Sequence, residues 1–188
     1  MASKRDEIKD VQPIRSLEKI EDMKWSLKRH CSERDYILFL LGINTGLRVS
    51  DLLSLKVKDV KGKKKIMVKE GKTEKPRMIH LANIYDELNE YIKTLHQTEW
   101  LFPSRKGDRA ISRIQAYRQL KKAADMVDMP DGIGTHTMRK TFGYWFYKQT
   151  KDVAKLQGLL NHSHPEITLR YIGITDEEIE ADLQHFVL

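Results

Sequence analysis

Several side chains in the stretch 134–173 could act together on a phosphate ester. His136 and Arg139 are three residues apart, so on a helix they project from one face with Cβ atoms about 5–6 Å apart. A planar guanidinium can donate charge-assisted hydrogen bonds to two oxygens of one phosphate. His162 and Tyr171 follow in the segments LLNHSH and TLRYIG. The spacing therefore predicts a site that binds one phosphodiester.

Tyr171 is the natural nucleophile of this set. Its phenol is protonated near neutral pH because the ordinary pKa of tyrosine is about 10. It therefore needs nearby cations and a hydrogen-bonding base before it can attack a phosphorus atom. His162 lies nine residues earlier and supplies a second ring donor.

The order of these segments resembles a known family. HTMR, LLNH and TLRYIG are similar to the C-terminal boxes of the tyrosine recombinase (phage integrase) family, and TGLRVSDLL, which contains Arg48, is similar to its first box. The match extends from Thr45 to Tyr171, and Xer-type and short fimbrial-switch recombinases are among the members it resembles. The resemblance implies a mainly α fold with a small antiparallel β-sheet (α+β). It also implies site-specific cleavage and rejoining of DNA through a 3′-phosphotyrosyl intermediate.

The resemblance assigns a role to each candidate residue. Arg48, Arg139 and His162 would stabilise the phosphate oxygens that gain charge, and His136 would assist transfer of the tyrosine proton. The predicted catalytic residues are Arg48, Lys72, His136, Arg139, His162 and Tyr171. Because the covalent link keeps the phosphodiester energy, no cofactor, ATP or metal ion is expected.

Arg48 has two candidate partners when only its neighbours are considered. It follows a glycine turn among leucines, and a charged group in such a place needs an anion or an acid. Asp51 lies three residues later on the same helix face, so an ordinary ion pair would satisfy both side chains. The resemblance favours a different arrangement, in which Arg48 binds the scissile phosphate and Asp51 orients it.

A β-hairpin is predicted from KKKIMVKE and PRMIHL, which flank the polar turn GKTEK. Residues 57–60 offer a third strand. A lysine in such a turn is usually only solvated, but this hairpin resembles the family's lysine-bearing turn, whose lysine protonates the leaving 5′ oxygen. Lys72 is the predicted acid, with Lys75 as the alternative.

A helix that begins at Ser112 resembles the family helix that lies against DNA, so Arg113 and Arg118 are predicted contacts with the DNA backbone. Lys75, Lys140 and His164 are further predicted DNA contacts near the site. His164 could instead be an exposed side chain without a role. Asn161 stands where the family usually has glycine, and Lys140 stands where histidine is common; both could alter loop geometry without removing a catalytic atom.

Composition and charge indicate a single basic domain. The chain has 188 residues, 40% of them hydrophobic, and a net charge of +7, so it can form one medium core. A basic surface favours a polyanionic partner because binding releases counterions from the phosphates. Double-stranded DNA is the expected partner, and the resemblance implies four protomers on two DNA sites. No accessory DNA-bending protein is specified by the sequence.

The sequence also predicts a cytoplasmic location without membrane contact. Cys31 is the single cysteine, which excludes an internal disulfide and a cysteine-rich metal site and fits a reducing compartment. A membrane helix needs about 18 or more apolar residues in a row, and no such run is present. The start MASKRDEIKD lacks the apolar core of a signal peptide.

Three segments are predicted along the chain. Residues 1–15 form an exposed arm, residues 16–174 form the catalytic domain, and residues 175–188 form a C-terminal helix that either folds back or docks on a neighbouring protomer. Family members usually carry an N-terminal core-binding domain, and too few residues precede Arg48 for one. The chain is expected to be either an excised catalytic domain or a minimal recombinase, and the start at Met1 favours the second.

Two other functions are compatible with this fold. A DNA-binding regulator could keep the fold and lose recombination, but the presence of all the catalytic residue types argues against such decay. A type IB topoisomerase shares the chemistry, but the short chain has no clamp domain. Relaxation of any supercoiled plasmid, regardless of its sequence, would support the topoisomerase.

Overall fold

Helices make up most of the molecule, and a short antiparallel hairpin lies between them. The computed structural model describes residues 11–72, 74–96, 98–129, 132–174 and 184. Its elements in chain order are α1 (Leu17–His30), α2 (Glu33–Thr45), α3 (Val49–Leu53), α4 (Val57–Val60), β1 (Lys65–Lys69), β2 (Pro76–His80), a 3₁₀ turn (Ala82–Ile84), α5 (Tyr85–Lys93), α6 (Arg113–Asp125), α7 (Thr137–Thr150), α8 (Val153–Leu160) and α9 (Pro165–Ile172). The predicted fold class, mainly α with a small antiparallel sheet, is confirmed. None of the helices among the described residues is long and apolar enough to cross a bilayer.

The first two helices begin and end where their capping residues predict. Ser16 precedes α1 and accepts a hydrogen bond from the backbone N–H of Lys19, and Ser32 does the same for Asp35 at the start of α2. Helix α2 ends at Gly46, which has a left-handed φ of 62°. This turn places Arg48 directly before α3.

Helix α2 is at the centre of the main core. Its apolar residues lie on all sides of the helix, a pattern that is stable only when the whole helix is buried. Phe39 and Leu41 are each 1% exposed, and α1, α5 and α7 pack against α2. A smaller apolar cluster joins the C-terminal helices through Tyr144, Leu156, Leu160 and Ile172.

The hairpin presents one face to the core. β1 and β2 pair in antiparallel register, with Met67 opposite Met78, and alternate side chains are buried. The predicted third strand at residues 57–60 is wrong, because this segment is helix α4. The side chain of Asp59 accepts a hydrogen bond from the N–H of Lys56 and closes a helical turn, while Val60 is buried beside β1.

Residues 11–15, which were expected in an exposed arm, pack against the body instead. The N–H of Ile14 donates to Thr141 Oγ1 at 2.9 Å, and its carbonyl accepts from Trp145 Nε1 at 2.9 Å. Arg15 donates to the carbonyl of Gly173 at 2.7 Å. Ile14 is 4% exposed, so burial of its side chain holds the segment in place. Of the predicted C-terminal helix over 175–188, all but residue 184 lies outside the described residues.

Candidate active site

Helix ends bring most of the predicted catalytic residues to one place. Arg48 precedes α3, His136 precedes α7, and Arg139 lies in the first turn of α7. His162 follows the end of α8, and Tyr171 lies in the last turn of α9. Helices α7 and α9 can approach closely because α7 has glycine at position 143, where an added Cβ would lie 2.7 Å from Ile172 Cγ2 of α9.

Tyr171 lies against both histidines. Its hydroxyl oxygen is 3.4 Å from His136 Nδ1, and its ring packs edge-on against the His162 ring with centroids 5.0 Å apart. Burial raises the pKa of Tyr171 above its ordinary value of 10, although the charges of Arg139 and Arg48 oppose the rise. The phenol is therefore protonated at neutral pH and needs a proton acceptor in order to attack.

Arg139 is held by two backbone carbonyl groups. Its Nη1 donates to the carbonyl of Gly46 at 2.6 Å, and its Nη2 donates to the carbonyl of Leu160 at 2.7 Å. Leu160 ends α8, so its carbonyl has no partner within the helix and is free to accept. A side chain at position 46 would meet Phe142 at 2.3 Å, so only glycine fits there. Arg139 is 3% exposed and has a fixed orientation.

Glu70 is a buried carboxylate at the centre of the cationic cluster, and the sequence interpretation missed it. Arg48 Nη1 donates to Oε2 at 2.7 Å and Asn161 Nδ2 donates to the same oxygen at 2.9 Å. Arg77 Nη1 and Arg139 Nη1 lie 3.4 Å and 3.5 Å from Oε1. Burial raises the pKa of Glu70, but the hydrogen bonds from Asn161 and Arg48 and the positive charges of Arg139 and Arg48 outweigh it and lower the pKa to about 2. Glu70 is therefore ionised.

The alternation of β1 contains a signal for Glu70. Ile66 and Val68 are buried, and Glu70 continues this alternation of every second residue, one residue past the end of the strand. Arg77 is one of the buried, alternating positions of β2. Because a buried charge requires an opposite charge or hydrogen bonds, the two positions indicate an internal ion pair.

The structure explains why asparagine can occupy position 161, where the family usually has glycine. Asn161 ends α8 with a left-handed φ of 51°, a conformation that asparagine tolerates better than most residues. The backbone thus keeps a shape that glycine would also allow. The side chain adds a hydrogen bond to Glu70 that glycine could not make.

Asp51, predicted to orient Arg48, makes a closer contact with the hairpin. Its Oδ1 accepts a hydrogen bond from the N–H of Gly71 at 3.1 Å. Its Oδ2 lies 3.9 Å from Arg48 Nη1 and has no hydrogen-bond partner among the described residues. The carboxylate at hydrogen-bonding distance from Arg48 is Glu70.

The histidines are neutral in this site. Partial burial, followed by the positive charges of Arg113, Arg139, Lys140 and Arg48, lowers the pKa of His136 below its ordinary value of 6.5. A neutral ring with its proton on Nε2 can accept a proton at Nδ1, the atom that faces Tyr171.

His162 is oriented by a neighbouring hydroxyl. Its Nδ1 lies 3.1 Å from Thr168 Oγ1. Burial and the charges of Arg139 and Arg48 lower the pKa of His162, with a further contribution from Lys72, while Glu70 opposes them. The ring nitrogen that does not face Thr168 can therefore hydrogen-bond to a bound phosphate.

The predicted lysines lie at the edge of the site. Lys72 is exposed in the turn after β1, close enough for its charge to act on His162. Lys75 is also exposed, and its carbonyl accepts from the N–H of Glu70. Lys140 lies with its Nζ 5.4 Å from the centre of the Tyr171 ring.

The remaining predicted DNA contacts lie on the surface. Arg113 and Arg118 are exposed on α6, and Arg113 is near enough to lower the pKa of His136. His164 is exposed and directly precedes α9.

Sequence relatives identify the family. The model of the phage integrase family matches residues 17–178. The probable integrase/recombinase YoeC of Bacillus subtilis is 51% identical over 177 residues, which are 94% of this chain and 97% of that protein. Tyrosine recombinase XerA of Pyrococcus horikoshii is 28% identical over 80% of this chain, and the match covers 54% of that protein. The chain thus has nearly the length of the first relative and spans about half of the second.

Solved structures show the same fold. The crystal structure of XerA recombinase superposes with a TM-score of 0.75 over 95% of this chain and 65% of that chain, at 22% identity. XerH site-specific recombinase, bound to a palindromic difH substrate in a post-cleavage complex, gives a TM-score of 0.74 over 90% of this chain and 51% of that chain, at 22% identity. The chain belongs to the phage integrase family, as its sequence boxes predicted, and its fold is that of the tyrosine recombinase catalytic domains.

Proposed function

We propose that this chain is a site-specific DNA recombinase that breaks and rejoins DNA through a phosphotyrosyl link at Tyr171. The observation that carries the proposal is the 3.4 Å separation between the Tyr171 hydroxyl and His136 Nδ1, beside two guanidinium groups held for an anion. A nucleophile, a proton acceptor and an anion site in one place are the parts that transesterification of a phosphodiester requires.

The Tyr171 oxygen attacks the scissile phosphorus in line with the 5′ oxygen. A bond forms between the phenolic oxygen and phosphorus, and the bond from phosphorus to the 5′ oxygen breaks. The phenolic proton passes to His136 Nδ1, which is neutral because the pKa of His136 is lowered. The product is a 3′-phosphotyrosyl link and a free 5′ hydroxyl.

Arg48, Arg139 and His162 stabilise the non-bridging oxygens as they gain charge. Donors that are fixed before the reaction need little reorganisation during it, and each one typically contributes about 10²–10³-fold in rate. Arg139 fits this description well because two carbonyl groups and Glu70 hold its guanidinium.

Lys72 protonates the leaving 5′ oxygen. An alkoxide leaves poorly without a proton, and a positioned acid contributes about 10²–10⁴-fold to such a step. Rejoining is the reverse reaction, in which a 5′ hydroxyl attacks the phosphotyrosine. The covalent link conserves the phosphodiester energy, so the cycle runs without ATP, cofactor or metal ion.

Double-stranded DNA is the proposed partner. The net charge of +7 and the exposed basic side chains favour contact with its backbone, and Arg113, Arg118, Lys75, Lys140 and His164 are the proposed contacts. Four protomers assemble on two duplexes and exchange strands in pairs, with the segment 175–188 as the proposed contact between protomers. The reaction takes place in the cytoplasm. Neither the regulator nor the topoisomerase is favoured by the relatives.

Covalent capture tests the proposal. Genomic fragments that the protein binds are selected first, and a suicide duplex is built from the selected site with a nick that lets the cleaved end diffuse away. In EDTA, wild-type protein should form an adduct that survives denaturant, and Tyr171→Phe should form none. Tyr85→Phe, which alters a tyrosine on α5, is the matched control and should react normally. Absence of an adduct with the wild type on its selected site would refute catalysis by this chain.

A further inference from the structure

The side chain of Glu70 cannot reach DNA, yet it connects the parts of the site that do. Its side chain is 0% exposed, so solvent and phosphate are both excluded from it. Its two oxygens face groups from separate segments: Arg48 before α3, Arg77 on β2, Arg139 on α7 and Asn161 after α8. A carboxylate has about four lone-pair positions, which is enough to accept from all of them.

Glu70 is the anion that fixes Arg48. The Nη1 group of Arg48 lies 2.7 Å from Glu70 Oε2 but 3.9 Å from Asp51 Oδ2, which is beyond hydrogen-bonding distance. A guanidinium carries five N–H groups in a rigid plane. A bond at one of them sets the direction of the plane and leaves the other donors for a phosphate.

Glu70 also closes the turn that carries Lys72. Its N–H donates to the carbonyl of Lys75 at 3.2 Å, and its carbonyl accepts from the N–H of Glu74 at 2.8 Å. Lys72 lies two residues further along this turn. The backbone of Glu70 therefore holds the lysine turn while its side chain holds the arginines.

We propose that Glu70 is a positioning residue for DNA cleavage, which fixes the guanidinium planes of Arg48 and Arg139 toward the scissile phosphate and aligns them with the Lys72 turn. This inference rests on the proposed function. It differs from a purely structural ion pair in one measurable respect: loss of Glu70 must weaken the stabilisation of phosphate charge, in addition to any effect on folding.

Glu70→Gln is the variant that removes this function with the least change of shape. The amide keeps one acceptor oxygen, but its NH₂ group faces a guanidinium and cannot accept from it. The rate constant for adduct formation is measured in a single turnover with protein in excess, and we expect a decrease of about 10²-fold, the effect of losing one fixed donor. Glu70→Asp keeps the charge on a side chain one methylene shorter, so its rate should lie between those of Glu70→Gln and the wild type.

A neutral substrate separates positioning from folding. In a methylphosphonate, a methyl group replaces one non-bridging oxygen and removes the negative charge that the guanidinium groups stabilise. The ratio of wild-type to Glu70→Gln rates should therefore be much smaller on a methylphosphonate than on the phosphodiester. A variant that is only partly folded would lose the same factor on both substrates.

Two further variants keep the test decisive. Glu99→Gln, at an exposed ion pair with Lys56, is the matched control and should leave both rates unchanged. If Glu70→Gln does not fold, a double variant that combines it with Arg77→Gln is measured in its place, because it removes the Arg77 cation together with the Glu70 anion. This double variant should fold, and its rate on the phosphodiester should remain low.

The outcomes separate this inference from the proposed function. An adduct with the wild type and an equal rate for a folded Glu70→Gln would refute positioning by Glu70 and leave the recombinase proposal intact. An equal loss on phosphodiester and methylphosphonate would also refute it. No adduct with the wild type on its selected site would refute the proposed function itself.

Discussion

The buried and the exposed sides of the active site are built differently. On the buried side, the guanidinium of Arg139 donates to two backbone carbonyl groups and lies 3.5 Å from the carboxylate of Glu70, and these two side chains are 3% and 0% exposed. On the more exposed side, the hydroxyl of the half-buried Tyr171 lies 3.4 Å from His136 Nδ1, and Lys72 is exposed in a turn. The groups on the buried side are paired within the protein, whereas those on the more exposed side can exchange protons with the substrate.

This difference indicates a division of work. Charge stabilisation is most effective when donors are already oriented and dry, because nothing has to rearrange as the phosphate gains charge. Proton transfer requires groups whose pKa values lie near the working pH and which can pass their protons to another group. Substitutions on the buried side should therefore affect both stability and rate, and those on the exposed side should affect rate alone.

The largest effect is expected for Arg139→Ala. The substitution leaves Glu70 with one fewer cation and the carbonyls of Gly46 and Leu160 without their donor. Breaking a buried charged contact costs about 3–5 kcal/mol, so the free energy of unfolding in urea should fall by that amount and the adduct should disappear. Arg118→Ala, on the exposed face of α6, should change the free energy of unfolding by less than about 0.5 kcal/mol. Equal stability for these two variants would contradict the comparison.

A smaller effect, on rate alone, is expected for Lys72→Ala. Loss of the acid should slow adduct formation by about 10²–10⁴-fold without changing the urea midpoint. A substrate with sulfur in place of the leaving 5′ oxygen should restore most of the rate, because a thiolate leaves without a proton. Lys75→Ala is the control, since it removes a neighbouring charge from the same turn. If the sulfur substrate rescued neither lysine variant, or if it rescued only Lys75→Ala, Lys72 would not be the acid.

The smallest effect is a shift in pH dependence. Because His136 must be neutral to accept a proton and its pKa lies below 6.5, the rate of adduct formation should hold near neutral pH and fall only as the pH drops through that lowered pKa. Arg113 contributes to the lowering, so in Arg113→Ala the pKa of His136 rises and the fall begins at a higher pH. Single-turnover rates across a pH series test this shift. A shift to lower pH, or none, would contradict the role of Arg113 in setting this pKa.

Local patterns in the sequence predicted much of this molecule. The boxes around Arg48, Arg139 and Tyr171 are contiguous motifs, and the structure brings these residues together. The caps at Ser16 and Ser32 are also local, since each side chain bonds the backbone three residues on.

Contacts between distant segments were not predictable in this way. Arg48 and Glu70 are 22 positions apart, and Glu70 and Asn161 are 91 apart, so no periodicity links them. The segment 57–60 is too short for its two valines to distinguish a strand from a helix, and the hydrogen bond that the Asp59 side chain accepts from the N–H of Lys56 favours the helix. The burial of Ile14 depends on α7, which lies far along the chain.

The packing of residues 11–15 has a consequence for whatever precedes them. Ile14 is bonded to the helix that carries Arg139, and Arg15 is bonded to the carbonyl two residues after the nucleophile. Gln12 donates its N–H to the carbonyl of Gly132, and Val11 lies against Gly134, so a polypeptide joined ahead of residue 11 enters beside the turn that leads to His136. A bulky group fused directly ahead of residue 11 would therefore crowd the approach of DNA to His136, and a longer spacer would relieve this crowding.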